Sequence, residues 1–370
     1  MEKDLPGSKP HYQILDGLRG VASVMVVAFH IFEANAGSHS DQIINHGYLA
    51  VDFFFLLSGF VIGYAYDDRW KTMSTLDFFK RRLTRLQPMV ILGMITGAIC
   101  FYFQDSVLWP TIHEVPLWKV ILVMLVGFTL IPLPASMDIR GWTEMHPLNG
   151  PGWSLFYEYV ANILYALFIR KFGKILLSLL VLLSAAFLIH LAFTSAEGDI
   201  IGGWSLEVNQ IHIGFARLLY PFFAGLLLFR IGKLICVKYA FLLCSLLLVI
   251  VLAMPRVGSN EHLWMNGLYD AGMVILVFPL IVFLGAGGQT ESKWLTKVCR
   301  FFGDISYPVY ITHYPLIYIY TGWVVTHKLT LKEALPTGLL VFTACIAIGY
   351  LSLKLYDEPV RKWLKQKLWK

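Results

Sequence analysis

Charge is scarce in this sequence. Only 15% of its 370 residues are Asp, Glu, Lys or Arg, where a soluble globular chain carries about a quarter. An interior this apolar cannot be hidden from water without large exposed patches, which excludes an ordinary soluble enzyme. Its five cysteines, Cys100, Cys236, Cys244, Cys299 and Cys345, are scattered through apolar stretches with neither metal nor disulfide spacing. They read as small packing residues, and no metal site is expected. There is no glycine loop ending in Lys-Ser or Lys-Thr, no zinc motif and no nucleophile elbow. Repeats of 20–50 residues and low-complexity tracts are absent, and no loop is long enough for a soluble domain. No nucleic-acid partner and no permanently bound cofactor are expected. No cleavable leader is evident either, so the first apolar run is expected to be retained.

What the chain has instead is hydrophobic length. Hydrophobic residues make up 57%, with 11 Trp and 18 Tyr suited to anchoring at membrane interfaces. Mean hydropathy is +0.64. A helix crossing the hydrocarbon needs about 20 apolar residues. Ten such runs are predicted, near 14–34, 47–66, 88–104, 152–170, 174–193, 209–230, 235–254, 267–285, 303–325 and 335–356. An eleventh, 118–133, is short and ends in Leu-Ile-Pro-Leu-Pro.

Basic residues orient the runs, because cytoplasmic loops carry the excess of Lys and Arg. Ten spans with both termini inside place 22 Lys and Arg in inner segments, among them Lys3, Lys9 and Lys370, and five in outer ones. Counting 118–133 as a span would move basic clusters outside, so it is read as re-entrant or interfacial. The expected fold class is all-α: a polytopic transmembrane helix bundle of about ten spans with a possible extra re-entrant segment, both termini cytoplasmic. One membrane domain fills 1–370, with a basic cytoplasmic tail from about 357, in a multi-pass protein of the cell (inner) membrane.

Ionisable groups inside apolar runs are costly and mark function by default. Arg19 and His30 lie eleven residues apart, three turns of helix within about 20°, so both project from one face about 16 Å apart along the axis. Asp52 sits in the run Val51-Asp52-Phe53-Phe54-Phe55 and needs a partner. Arg81, Arg82 and Arg85 cluster ahead of Pro88, suited to phosphate or to anionic lipid. Pro151-Gly152-Trp153-Ser154 leads to Glu158, one turn beyond Ser154. Ser306, Tyr310 and His313 share one side of a late helix. Arg217 is a partner for Asp52 or Glu158, and the sequence does not choose.

Taken in order, these blocks resemble the acyltransferase family 3 membrane proteins, whose members include enzymes that O-acetylate lipopolysaccharide and other surface glycans. The Arg/Lys-x10-His pattern matches Arg19 and His30, and the aromatic Asp block matches 51–60. The Arg-rich block matches 78–88, with Gln87 between Leu86 and Pro88. Pro151 to Glu158, the Ile-Ser-Tyr…His block at 305–313, and a Glu-x-Pro type ending at Glu358 complete the series. The esterase-like domain fused to some members is not expected here. The resemblance implies an acyltransferase that moves an acyl group, acetyl by default, onto a carbohydrate or glycolipid hydroxyl.

Charge placement suggests the parts. Arg19, Arg81, Arg82 and Arg85 would hold the phosphates of cytosolic acyl-CoA as co-substrate. His30 would be the general base, with Glu158 or Asp52 orienting it. Trp153, Ser154, Tyr310 and His313 would bind the acceptor or the oxyanion. A covalent acyl-histidine step stays open. A transporter or flippase for an amphiphile is the alternative, since intramembrane acids and histidines also serve proton relays. The matching broken helices or inverted repeat of a transporter are not detectable in the sequence.

Overall fold

The structure, a computed structural model, describes residues 11–38, 41–259 and 261–368. Lys3, Lys9 and Lys370 lie outside them. Among the described residues all regular structure is helical, with no strand beyond one isolated bridge from Ser106 to Trp109. The helices are α1 Gln13–Glu33, α2 Ala50–Tyr66, α3 Thr75–Cys100, α4 Leu117–Gly127, α5 Gly152–Leu167, α6 Lys174–Thr194 and α7 Val208–Ile231. They continue as α8 Ala240–Ala253, α9 Trp264–Gly272, α10 Phe278–Gly287, α11 Lys293–Thr312, α12 Tyr314–Thr326, α13 Leu331–Ser352 and α14 Glu358–Leu368. Single π-helical stretches, Met273–Val277 and Leu353–Asp357, join α9 to α10 and α13 to α14.

Among the described residues, seven helical segments are long and apolar enough to cross a membrane: Gln13–Glu33, Gly47–Tyr66, Thr75–Gln104, Lys174–Thr194, Val208–Ile231, Trp264–Gly287 and Leu331–Leu368. Three expected spans fall outside that set. Run 152–170 becomes the 16-residue α5, and 235–254 becomes the 14-residue α8. Run 303–325 is divided at His313 between α11 and α12. Proline explains the division. Pro315, in the first turn of α12, has no N–H to give the carbonyl of Ile311 one turn back. The Asn149 side chain supplies the missing donor at 2.8 Å. The short run 118–133 forms the eleven-residue α4, about 16 Å long, half the thickness of the hydrocarbon.

Helix α3 corrects another boundary, since it begins well before residue 88. Ser74 and Asp77 make a reciprocal cap, with Asp77 N–H donating to Ser74 Oγ at 3.1 Å and Ser74 N–H to the Asp77 carboxylate at 3.2 Å. The Arg-rich block is therefore the first half of a continuous helix that runs on through Pro88.

Helix α1 is the axis of the bundle and packs most closely on α11, while α2 packs on α7. Glycine permits the second contact. A Cβ at Gly225 would collide with the Leu56 carbonyl oxygen, and one at Gly59 with that of Phe222. Backbones that near make small residues obligatory. Gly225→Val is expected to force α2 and α7 apart and to lower the yield of monodisperse protein in detergent severalfold, at a cost of at least about 1–3 kcal/mol. An unchanged size-exclusion profile and melting temperature would refute the contact. Outward faces are left to lipid: Ile175, Leu182 and Leu183 of α6 are 82%, 66% and 68% exposed.

Candidate active site

Three cavities lie along α1, α2 and α3. The first, about 890 Å³, is lined by Asp16, Arg19, Arg82, Arg85, Ser58, Glu158, Ser306 and Tyr310, with apolar walls from Leu15, Val51, Phe54 and Phe55. Arg19 is fixed there by α11, donating to Ser306 Oγ at 2.8 Å and to the Gly303 carbonyl at 3.0 Å. Arg82 is buried and donates to Glu158 at 2.5 Å, and Ser58 donates to the same carboxylate oxygen at 3.3 Å. Arg85 has accessible surface because it lines this cavity and the next.

The second cavity, about 1140 Å³ and open, is lined by Ala65, Tyr66, Arg69, Arg81, Thr84, Arg85, Arg361 and Lys365. Arg81 belongs here rather than with Arg82. Neighbouring residues on a helix point about 100° apart, so one arginine block serves two cavities.

The third, about 1330 Å³, holds His30. Its walls are Glu33, Tyr48, Val51, Trp142, Glu144, Trp153, Trp204, Arg217, Tyr310 and Tyr314 among others. The His30 Nδ1 lies 2.7 Å from Glu33 Oε2, one turn on along α1. A carboxylate there fixes Nδ1 as the protonated nitrogen and leaves Nε2 free to take a proton. The ring stacks on His313 at 5.6 Å between centroids and meets Tyr314 edge-on at 4.8 Å.

The expected orienting carboxylates are corrected by these contacts. Asp52 is fully buried and engaged by Arg217, whose Nη2 donates to Oδ2 at 2.7 Å while Nε reaches both oxygens at 3.2 and 3.3 Å. Glu158 is held by Arg82 in the first cavity. A charge removed from water takes the nearest guanidinium, so neither acid is left for His30. Glu33 is the carboxylate in contact with His30. Sequence reasoning passed over Glu33, although its three-residue spacing from His30 places the two one helical turn apart.

The acceptor candidates divide similarly. Tyr310 lines the first and third cavities and, with Val51, forms the partition between them. Its hydroxyl lies 2.7 Å from Ser154 Oγ, which donates to the Pro151 carbonyl at 3.0 Å. Trp153 faces the third cavity, with the Arg217 guanidinium 5.2 Å from its ring centre. His313 is buried, and its Nδ1 donates to the carbonyls of Tyr310 and Val309 at 2.8 and 3.1 Å. That tautomer leaves a lone pair on Nε2, which has no protein partner among the described residues. His313 lines none of the three cavities and packs against the His30 ring instead.

Sequence reasoning missed the loop side of the third cavity. Glu144 accepts from the Tyr318 hydroxyl at 2.7 and 2.9 Å, and Arg140 covers the Tyr318 ring at 3.6 Å. Burial pushes the Glu144 carboxyl up to about 7 against the pull of Arg140 and Tyr318. Trp142 and Trp204 add aromatic faces. Nothing periodic marks loop residues, which is why these escaped notice. Among the described residues, no group of His, Cys, Asp and Glu is arranged to hold a metal ion.

Residues 12–354 match the profile of the acyltransferase domain of acyltransferase family 3. The chain belongs to that family. Membership makes it an acyltransferase, and the conjunction of ordered blocks pointed the same way. The O-acetyltransferase OatA of Staphylococcus aureus is 25% identical over 366 residues, 94% of this chain and 57% of OatA. Protein 2 in the picA locus of Rhizobium radiobacter is 32% identical over 167 residues, 41% of this chain and 80% of that protein. Acyltransferase MdmB of Streptomyces mycarofaciens is 30% identical over 172 residues, 44% of this chain and 40% of MdmB. The chain thus spans little more than half the length of OatA. No solved structure matches it.

Proposed function

We propose that this acyltransferase moves an acyl group, acetyl as in the name of its relative OatA, from acyl-CoA to a hydroxyl of a carbohydrate or glycolipid, with His30 as general base. The carrying observation is the partition at Tyr310: an arginine-lined cavity on one side abuts the His30 cavity on the other. The arginines suit a polyanionic donor. Apolar walls at Leu15, Val51, Phe54 and Phe55 suit the thin arm that carries a thioester. Three tryptophans and two carboxylates around His30 suit a sugar, whose rings stack on aromatic faces and whose hydroxyls need hydrogen-bond partners.

In this reading His30 Nε2 takes the proton of the acceptor hydroxyl as its oxygen attacks the thioester carbonyl. The carbon–sulfur bond breaks, and the thiolate recovers the proton from the imidazolium, which Glu33 stabilises meanwhile. Tyr310, at the junction, donates to the carbonyl oxygen in this reading by turning its hydroxyl away from Ser154 Oγ. The bilayer arrangement is ten spans in the inner cell membrane with both termini cytoplasmic, supported by the 22-to-five division of basic residues. Helices α5, α8 and the α11–α12 pair then cross with help from protein neighbours.

The test is thioester turnover by purified protein given acetyl-CoA and glycan acceptors, read as released thiol. Arg85→Gln is expected to raise the donor KM about tenfold or more, the worth of one charge-assisted hydrogen bond, with little change in kcat at saturating donor. Solute uptake into liposomes without thioester cleavage would replace this reading with transport.

A further inference from the structure

The second cavity has a wall that none of the motifs predicted. Arg361 and Lys365 come from α14, the last helix, and face Arg69, Arg81 and Arg85 across about 1140 Å³ of open space. Among the described residues lining it, five are cationic and none is a carboxylate. So many cations around one space favour an anion there. The placement of α14 is built rather than casual. The π-helical stretch Leu353–Asp357 joins it to α13, and it packs against α3. Asp357 is 2% exposed and anchors Arg361 at 2.8 Å, one turn along.

We propose that α14 is part of the donor site and that Arg361 and Lys365 bind the 3′-phosphate of coenzyme A. This rests on the reading of acyl-CoA as donor and adds to it which end of the donor the last helix recognises. The order of groups in the donor makes the assignment. Thioester, pantetheine arm, diphosphate and ribose 3′-phosphate follow one another. Arg85 lines both the inner cavity and the open one, so it meets the diphosphate where the arm begins. The 3′-phosphate lies farther from the thioester than the diphosphate, and α14 stands on the open side, beyond Arg85. A diphosphate and a phosphomonoester together bring about four negative charges to the five cations. The helix that reads as a basic tail in the sequence thereby selects coenzyme A over donors that lack the 3′-phosphate.

The experiment compares acetyl-CoA with acetyl-dephospho-CoA, which differs only in that phosphate. Wild-type protein is expected to have a KM for acetyl-CoA about tenfold or more below that for the dephospho donor. Lys365→Gln, at an exposed position, and Arg361→Gln with Lys365→Gln are expected to bring the ratio toward one, with kcat for acetyl-CoA retained. Lys365→Arg should restore it. A folding defect lowers turnover of both donors and leaves their ratio alone, so the ratio isolates recognition. A wild-type ratio in both variants overturns the proposal, and altered association with anionic vesicles at an unchanged ratio reassigns the patch to lipid headgroups. If wild-type protein turns over acetyl-CoA without discriminating, only the role of α14 falls. If it turns over neither donor, the donor reading falls with it.

Discussion

His30→Ala is expected to lower kcat by about 10²–10⁴-fold, the usual contribution of a positioned general base, while leaving the donor KM and the melting temperature near wild type. The separation follows from position. His30 lines the third cavity, while Arg19, Arg81, Arg82 and Arg85 line the first two. Donor binding therefore survives loss of the imidazole. Glu33→Gln should give a smaller loss of kcat at unchanged KM, because the amide still accepts from Nδ1 but no longer balances an imidazolium. Glu33→Asp should recover part of the activity. Full turnover by His30→Ala protein would remove the base assignment and with it the use of Glu33. Equal losses at His30 and in donor affinity would point instead to collapse of the partition.

The second large effect concerns folding. Asp52→Ala leaves the Arg217 guanidinium, 1% exposed, without the carboxylate it pairs with, and breaking one side of a buried ion pair costs about 3–5 kcal/mol. Arg217 also donates to the carbonyls of Tyr48 at 2.7 Å and Gly202 at 3.3 Å, so its loss loosens the approach to α2 as well. Both single variants are expected to melt far below wild type in detergent. Asp52→Ala combined with Arg217→Met should recover much of the difference, since it removes both charges from the interior. Singles that melt like wild type but lack activity would return Asp52 to the catalytic machinery.

Asp52 also shows where sequence reading ends. A buried acid in an aromatic helix announces that it has a partner. Which partner depends on how α2 and α7 cross, 165 positions apart in the chain. Arg19 and His30 were legible because helical geometry alone relates eleven residues on one helix. The block at 305–313 was legible as one helix face, but not the division at His313, which Pro315 dictates once Asn149 is in place. Run 118–133 was set apart from the spans by the distribution of Lys and Arg rather than by its hydropathy, and it forms the eleven-residue α4. Glu144, Trp142 and Trp204 lie in irregular segments that only the finished packing brings to the cavity. The role of α14 was hidden for the opposite reason: many basic residues near a chain end have an ordinary explanation in membrane orientation.

The two cavities that share Tyr310 and Val51 approach each other without merging. Coenzyme A and sugar would thus enter by separate cavities, with thioester and hydroxyl meeting at the edge where Tyr310 and Val51 line both. Such an arrangement passes a two-carbon fragment through chemistry rather than through an aperture. On the proposed reading only the acyl group has to pass between the cavities, and neither nucleotide nor sugar follows it.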